Sequence, residues 1–185
     1  MSIHDYILNN NITDIINYVN TSDKQIILLL PIGPPGSGKT TLKNILKKQI
    51  INRTIIAPSR DEIFKKYREN HGLKKTRHLT HIDMINQITN LNIHHNQSYV
   101  IYIDSTNSIP EIRHHYINLV KPNVTKFISF HTKHLKNPIL YLQNRTQHRY
   151  HPTFPKDKEE QLKTINTIIN TIEYPNNNNT FNIYI

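Results

Sequence analysis

Residues 33–40 read Gly33-Pro34-Pro35-Gly36-Ser37-Gly38-Lys39-Thr40, directly after the apolar run Ile26-Ile27-Leu28-Leu29-Leu30-Pro31-Ile32 and directly before the periodic stretch Thr41–Ile50. The octapeptide fits G-x-x-x-x-G-K-[ST] at every fixed position. It also sits where that pattern has physical meaning, between a strand buried on both faces and a helix. Glycines let the backbone turn tightly and aim successive N–H groups at phosphate oxygens. The following helix points the positive end of its dipole at the same anion. Lys39 is then expected to reach the β- and γ-phosphates of a nucleoside triphosphate, and Thr40 to ligate Mg²⁺. The expected nucleotide contacts are Gly33, Pro35, Gly36, Ser37, Gly38, Lys39, Thr40 and Thr41. Three of the chain's four glycines are spent on this loop.

Strands and helices alternate on either side of it. Ile3, Ile7, Ile12, Ile15, Ile16 and Val19 recur at helical spacing, so 2–19 reads as an amphipathic helix within an N-terminal extension, 1–25. Gln25–Ile32 is the first strand. Thr54–Ala57 reads as a second strand stopped by Pro58, with Ser59 placed to cap a helix from Arg60. Residues 71–78 read as a basic loop and 80–93 as a helix. Tyr99–Ile103 is a third buried strand ending at Asp104, and Pro110 opens a helix to Val120. Val124–Phe130 is a fourth strand. An Arg- and His-rich helix or lid follows over 133–150, extended to 155 when counted as a subdomain. A helix, Lys156–Glu173, and a closing strand, Phe181–Ile185, complete the chain. The pattern predicts one α/β domain over 1–185, with a central parallel sheet of about five strands covered by helices on both faces.

Composition narrows the function. The chain has 185 residues and no cysteine, which excludes disulfides, thiolate metal sites and cysteine nucleophiles. No apolar run approaches the ~20 residues that span a bilayer, and the first ten residues carry no secretory pattern. A soluble, intracellular, cytoplasmic protein is expected, with the nucleus as the other compartment open to it and no membrane partner. Lys and Arg number 23 against 13 acids, a formal charge of +10. Such an excess favours polyanions, nucleic acid above all.

Three further places carry candidate chemistry. Asp104 closes an apolar strand, where an acid either holds Mg²⁺ through water or caps a turn. Asp61 lies just past the second strand, at the carboxyl edge where sheet ligands bind. It is either the carboxylate that takes a hydroxyl's proton or a helix cap. Arg145 and Arg149 are one helical turn apart, and form either a cationic lid over a transferring phosphoryl group or a solvated basic face. His78-Leu79-Thr80 and His151-Pro152-Thr153 form the paired H-x-T of two-histidine phosphodiesterases, but Pro152 sits badly in the strand that motif needs. The histidine pairs 94–95 and 114–115 have no metal-ligand spacing and read as solvated surface.

Taken together the motifs resemble the phage-type polynucleotide 5′-hydroxyl kinases among the P-loop kinases, a family related to the kinase domain of fungal and plant tRNA ligases. Residues 33–41 are similar to that family's loop, and Ser59-Arg60-Asp61-Glu62 to its Asn-Arg-Asp-Asp box. Asp104-Ser105-Thr106-Asn107, with Pro110-Glu111 and Arg113 beyond, resembles its Asp-Thr-Asn box and the Pro-Glu-Arg-Arg segment. Arg145-Thr146-Gln147-His148-Arg149 keeps its R-x-x-x-R lid spacing. The order is the family's, and the likeness spans roughly Ile26 to Glu173. It implies a P-loop NTPase fold and transfer of the γ-phosphate of ATP or GTP, with Mg²⁺, to the 5′-hydroxyl of RNA or DNA in nucleic-acid repair. It implies Asp61 as general base, Lys39 and backbone amides 36–41 on the phosphates, and Thr40 and Asp104 on Mg²⁺. Arg145 and Arg149 would meet the developing charge. The family has an arginine three residues past the base that grips the acceptor's phosphate. Phe64 stands there in this chain, leaving Lys65, Lys66 or Arg68 to replace it or Phe64 to stack on a base. Neither a D-x-D-x-T phosphatase motif nor a K-x-[DN]-G ligase motif is present, so such partners would be separate chains. Two other readings stay open, a kinase of a small hydroxyl compound and a nucleotide-gated binding module.

Overall fold

The computed structural model describes residues 3–91, 93–94, 96–132, 134–147, 157–176 and 178–185, with 3–10 described as backbone only. Its strands are β1 (Ile26–Ile32), β2 (Thr54–Ile56), β3 (Tyr99–Tyr102), β4 (Val124–His131) and β5 (Thr180–Tyr184). They form one sheet in the order β2-β3-β1-β4-β5, and every pairing is parallel. Parallel sheets need both faces covered, and the core divides accordingly. Ile27 and Leu29 of β1 face one cluster, with Ile15 and Val19 of α1 (Ile3–Thr21), Leu42 and Leu46 of α2 (Lys39–Gln49), Leu142 of α6 (Pro138–Gln147) and Ile165 of α7 (Lys158–Thr171). Leu28 and Leu30 face the other, with Ile63 of α3 (Arg60–Arg68), Met84 and Ile88 of α4 (Leu73–Thr89), and Tyr116 and Val120 of α5 (Pro110–Val120). Each such side chain taken from water contributes ~1.5–3 kcal/mol.

Pro31 lies inside a central strand, where proline costs a ladder bond. Here β1 has already parted from β3, whose pairing ends at Leu29–Tyr102. The Pro31 carbonyl is instead taken by Asn107 Nδ2 at 2.8 Å. The N-terminal extension is part of the packing: Val19 O accepts from Arg53 Nε at 2.9 Å, and the Tyr18 ring meets Phe181 edge-on at 5.7 Å.

Two sequence expectations are corrected, and a third is covered in part. The basic stretch 71–78 is not a loop throughout, because α4 starts at Leu73. Ser59 occupies the N-cap of α3 but makes no side-chain cap bond. Its backbone pairs instead with Asp104, in an isolated parallel bridge. Of the segment 133–155 expected as a lid, α6 covers Pro138–Gln147, and 148–156 lie outside the described residues.

Candidate active site

The loop leaves β1 at Gly33 and enters α2 at Lys39. Gly36 and Gly38 take φ of 79° and 103°, the left-handed region that side chains resist. At Gly36 the space is closed as well, since a Cβ would stand 3.0 Å from the Leu142 carbonyl oxygen of α6. Tyr102, buried in β3, donates its hydroxyl to the Lys39 carbonyl at 2.7 Å and pins the first turn of α2. Burial, and then the charge of Asp104, push that phenol well above its ordinary pKa, so it remains a donor.

Lys39 folds back into the loop. Its ammonium donates to the carbonyls of Gly33 (2.8 Å) and Pro34 (2.7 Å), and more distantly to Ser37 Oγ (3.4 Å). Burial lowers its pKa to about 8, against the pull of Asp104 and Asp61. Thr40, beside it on α2, donates Oγ1 to both oxygens of Asp104, at 3.2 and 3.4 Å. A hydroxyl and a carboxylate are hard oxygen donors, the chemistry Mg²⁺ selects, so the pair fits that ion. Among the described residues, no group of three or more His, Asp and Glu could hold a metal.

Asp104 is buried and joins three elements. Its amide donates to Pro58 O at 3.0 Å, and its carbonyl accepts from Arg60 N at 3.2 Å. Its Oδ2 accepts from Lys43 Nζ at 3.0 Å, and the same ammonium reaches Glu62 Oε1 at 2.7 Å. Burial opposes the Lys43 charge, but the bonds from Glu62 and Asp104 hold its pKa above the ordinary value. Asp61, in the first turn of α3, is near enough for its charge to act on Lys39. Asn107, buried at φ 48°, ties Ile103 O (3.0 Å) and Pro31 O together and so fixes the spacing of the β1 and β3 ends.

On the other side α6 lies against the loop. Arg145 Nη2 is 3.9 Å from where a Gly38 Cβ would be, and Arg145 Nη1 donates to the Tyr141 hydroxyl at 2.8 Å. The structure thus brings Gly33, Gly36, Ser37, Gly38, Lys39, Thr40, Asp61, Asp104 and Arg145 to one end of the sheet. Pro35, within the loop, is half-buried, and Thr41, in the first turn of α2, is exposed. Arg149 lies outside the described residues, as does His151-Pro152-Thr153. His78-Leu79-Thr80 is helical, within α4, rather than on a strand. Phe64 is 2% exposed, so it is not offered for stacking on a base. Lys43, Glu62, Tyr102, Asn107 and Tyr141 are site residues to which sequence reasoning gave no role. Glu62 and Asn107 lie inside boxes the sequence already marked, whereas Lys43, one helical turn after Lys39, carries no signal of its own.

No family model matches the chain, and no curated protein matches it by sequence. Among solved structures it superposes on a chain of the Pnkp1/Rnl/Hen1 RNA repair complex with a TM-score of 0.56 and 18% identity. That match covers 82% of this chain and 47% of the other, so this chain spans about half the length of that one. Shikimate kinase from Acinetobacter baumannii, solved with shikimate, aligns at TM-score 0.48 and 14% identity over 88% of this chain and 89% of that one. The five-stranded parallel sheet, with its phosphate loop between β1 and α2, is the P-loop NTPase fold.

Proposed function

We propose that the protein is a polynucleotide 5′-hydroxyl kinase, moving the γ-phosphoryl group of ATP or GTP to the 5′-end of an RNA or DNA strand. The observation that carries this reading is the pair of carboxylates around the loop: Asp104 with Thr40 at the metal position, and Asp61 within electrostatic reach of Lys39. In the reaction, the acceptor hydroxyl oxygen bonds to the γ-phosphorus as the bond to the β-phosphate oxygen breaks. The hydroxyl proton passes to Asp61. Lys39 exchanges the Gly33 and Pro34 carbonyls for phosphate oxygens, and the loop amides meet the rest. Thr40 and Asp104 would hold Mg²⁺, which would offset phosphate charge. Arg145, with Arg149 beyond the described residues, supplies cations for charge developing on the transferred group.

Two features favour a polyanionic acceptor over a small one. From Arg60 to Arg77, across α3 and the start of α4, seven cations stand against three acids. In addition, Lys65 follows Asp61 by one turn of α3 and is exposed. It, rather than buried Phe64, would meet an acceptor phosphate. A fold neighbour in an RNA repair complex is in keeping with that substrate class, and a ligase or phosphatase partner would be a separate chain. The approach of Arg145 to the loop disfavours a module that only binds nucleotide.

The test is transfer of labelled γ-phosphate to 5′-hydroxyl RNA and DNA oligonucleotides. Wild type is expected to label at least one of them, and Asp61→Asn to lose about 10²–10⁴ of the rate while keeping nucleotide affinity. ATP consumption with no oligonucleotide labelled would replace the polynucleotide acceptor with a small hydroxyl compound. Nucleotide bound but never turned over would leave only the binding module.

A further inference from the structure

Lys43 is a lysine 3% exposed, one turn after Lys39 and on the same helix. Its ammonium bonds Glu62 and Asp104, and burying an ammonium is costly unless it is paired. We propose that Lys43 is a positioning residue, a cationic bracket that locks the helix carrying Asp61 to the metal-binding carboxylate Asp104. Its kinetic consequence rests on the phosphotransfer reading above, whereas its structural consequence does not.

The bracket joins three elements through one nitrogen. Lys43 comes from α2, Asp104 from the end of β3 and Glu62 from the first turn of α3, with Nζ at 3.0 Å from Asp104 Oδ2 and 2.7 Å from Glu62 Oε1. The backbone bonds of Asp104 to Pro58 O and Arg60 N already fix how far α3 begins from β3. Buried Ile63 and Phe64 seat the inner face of α3 against the core, and the bond to Glu62 adds a tie in its first turn, next to Asp61. Successive helical residues point about 100° apart, so a hold on Glu62 steadies the first turn of α3, and with it the direction of Asp61. The Glu62 side chain is 71% exposed, and its carboxylate is drawn inward to a buried cation. At the other end, Lys43 and Thr40 Oγ1 (3.2 Å) converge on the same Asp104 oxygen, holding that carboxylate in one rotamer. One side chain thereby sets the relative placement of the metal-binding acid and the proton acceptor. In-line transfer tolerates little error in that placement.

The test compares Lys43→Met, which keeps the buried stem and removes the ammonium, with Lys43→Arg, Glu62→Gln and the double variant Lys43→Met/Glu62→Gln. Amide hydrogen exchange of residues 59–64 is followed in the nucleotide-free protein, with α5 as the internal control. Exchange there is expected to speed by about tenfold or more in Lys43→Met, with α5 unchanged. In the transfer assay kcat should fall about 10- to 100-fold, with little change in the KM for nucleotide. Glu62→Gln should give part of both effects, the double variant no more than Lys43→Met alone, and Lys43→Arg partial recovery. Unchanged exchange and kcat in a Lys43→Met protein of wild-type Tm would overturn the proposal. So would strictly additive effects of the two single changes. If Lys43→Met does not fold, Glu62→Gln decides, since its exposed side chain must still loosen 59–64. If wild type transfers no phosphate to any acceptor, the proposed function fails, and the exchange measurement still decides the bracket.

Discussion

The two flanks of the phosphate loop are built on different principles. Toward β3, position is set by charge: Thr40, Lys43, Glu62 and Asp104 are joined by short side-chain bonds across three elements. Toward α6, position is set by shape. The helix rides on the loop because Gly36 has no side chain, and the Arg145 guanidinium is steadied by the hydroxyl of Tyr141. On the proposed function, the first flank carries the groups whose mutual geometry must be exact for proton and phosphoryl transfer. The second delivers a cation, whose attraction falls off gradually with distance. Close bonding is found where the chemistry is intolerant of displacement, and surface complementarity where it is more forgiving.

The largest effect is expected at Gly36. An alanine there takes a left-handed backbone and drives its Cβ to 3.0 Å from the Leu142 carbonyl oxygen and 3.2 Å from Thr146 Cγ2. The strain should cost about 1–3 kcal/mol, a Tm fall of about 2–4 °C for each kcal/mol. Activity should fall further than stability does, because α6 carries Arg145 away from the loop. Exchange at residues 59–64 should stay at the wild-type rate, since the other flank is untouched. Gly36→Ala with wild-type Tm and kcat would show that the seating of α6 does not place Arg145.

The same division separates what the sequence disclosed from what it hid. The loop, the strand before it, Asp104 at a strand end and the helix Pro110–Val120 were legible because local rules write them. Proline opens α5, and Lys121 at φ 48° closes it. The start of α4 was hidden because its buried stripe begins with threonines rather than apolar residues. Thr76, Thr80, Met84 and Ile88 face inward at four-residue spacing, and Thr80 Oγ1 satisfies itself on Thr76 O at 2.7 Å. A search for hydrophobic period therefore registers only the second half of the helix. Lys43 was hidden differently. In sequence it belongs to a run of solvated lysines, and only the return of the chain at Asp104 and Glu62 makes it a buried ion.

A smaller effect is expected at Tyr141. Phenylalanine removes the hydroxyl that takes Arg145 Nη1 at 2.8 Å but keeps the ring, 5.6 Å from the guanidinium carbon. Losing one such bond should lower kcat about three- to tenfold, with nucleotide affinity little changed, as the loop amides and Lys39 remain. Steady-state kinetics in parallel with Gly36→Ala then divides the flank into its helix seating and its hydrogen bond. An unchanged kcat in Tyr141→Phe would leave seating as the whole of it.

The smallest effect belongs to an ion pair of the same chemistry in a different place. Lys66 Nζ lies 2.9 Å from Asp83 Oδ2, as close as Lys43 to Asp104, but the Lys66 side chain is 63% exposed where Lys43 is 3% exposed. The hydrogen bond from Lys66 holds the Asp83 carboxyl below its ordinary pKa. A depressed carboxyl contributes stability above its unfolded pKa and loses it as pH falls through the folded one. Asp83→Asn should therefore lower Tm by about 1–3 °C at pH 7, and the gap should close as pH falls below about 4. It should close too at pH 7 in about 1 M salt, where the screening length is near 3 Å. The loss of kcat in Lys43→Met should persist in that salt, because a cation sealed between two elements is screened far less. A salt-sensitive Lys43 effect, or a salt-insensitive Asp83 one, would show that burial is not what separates the two pairs.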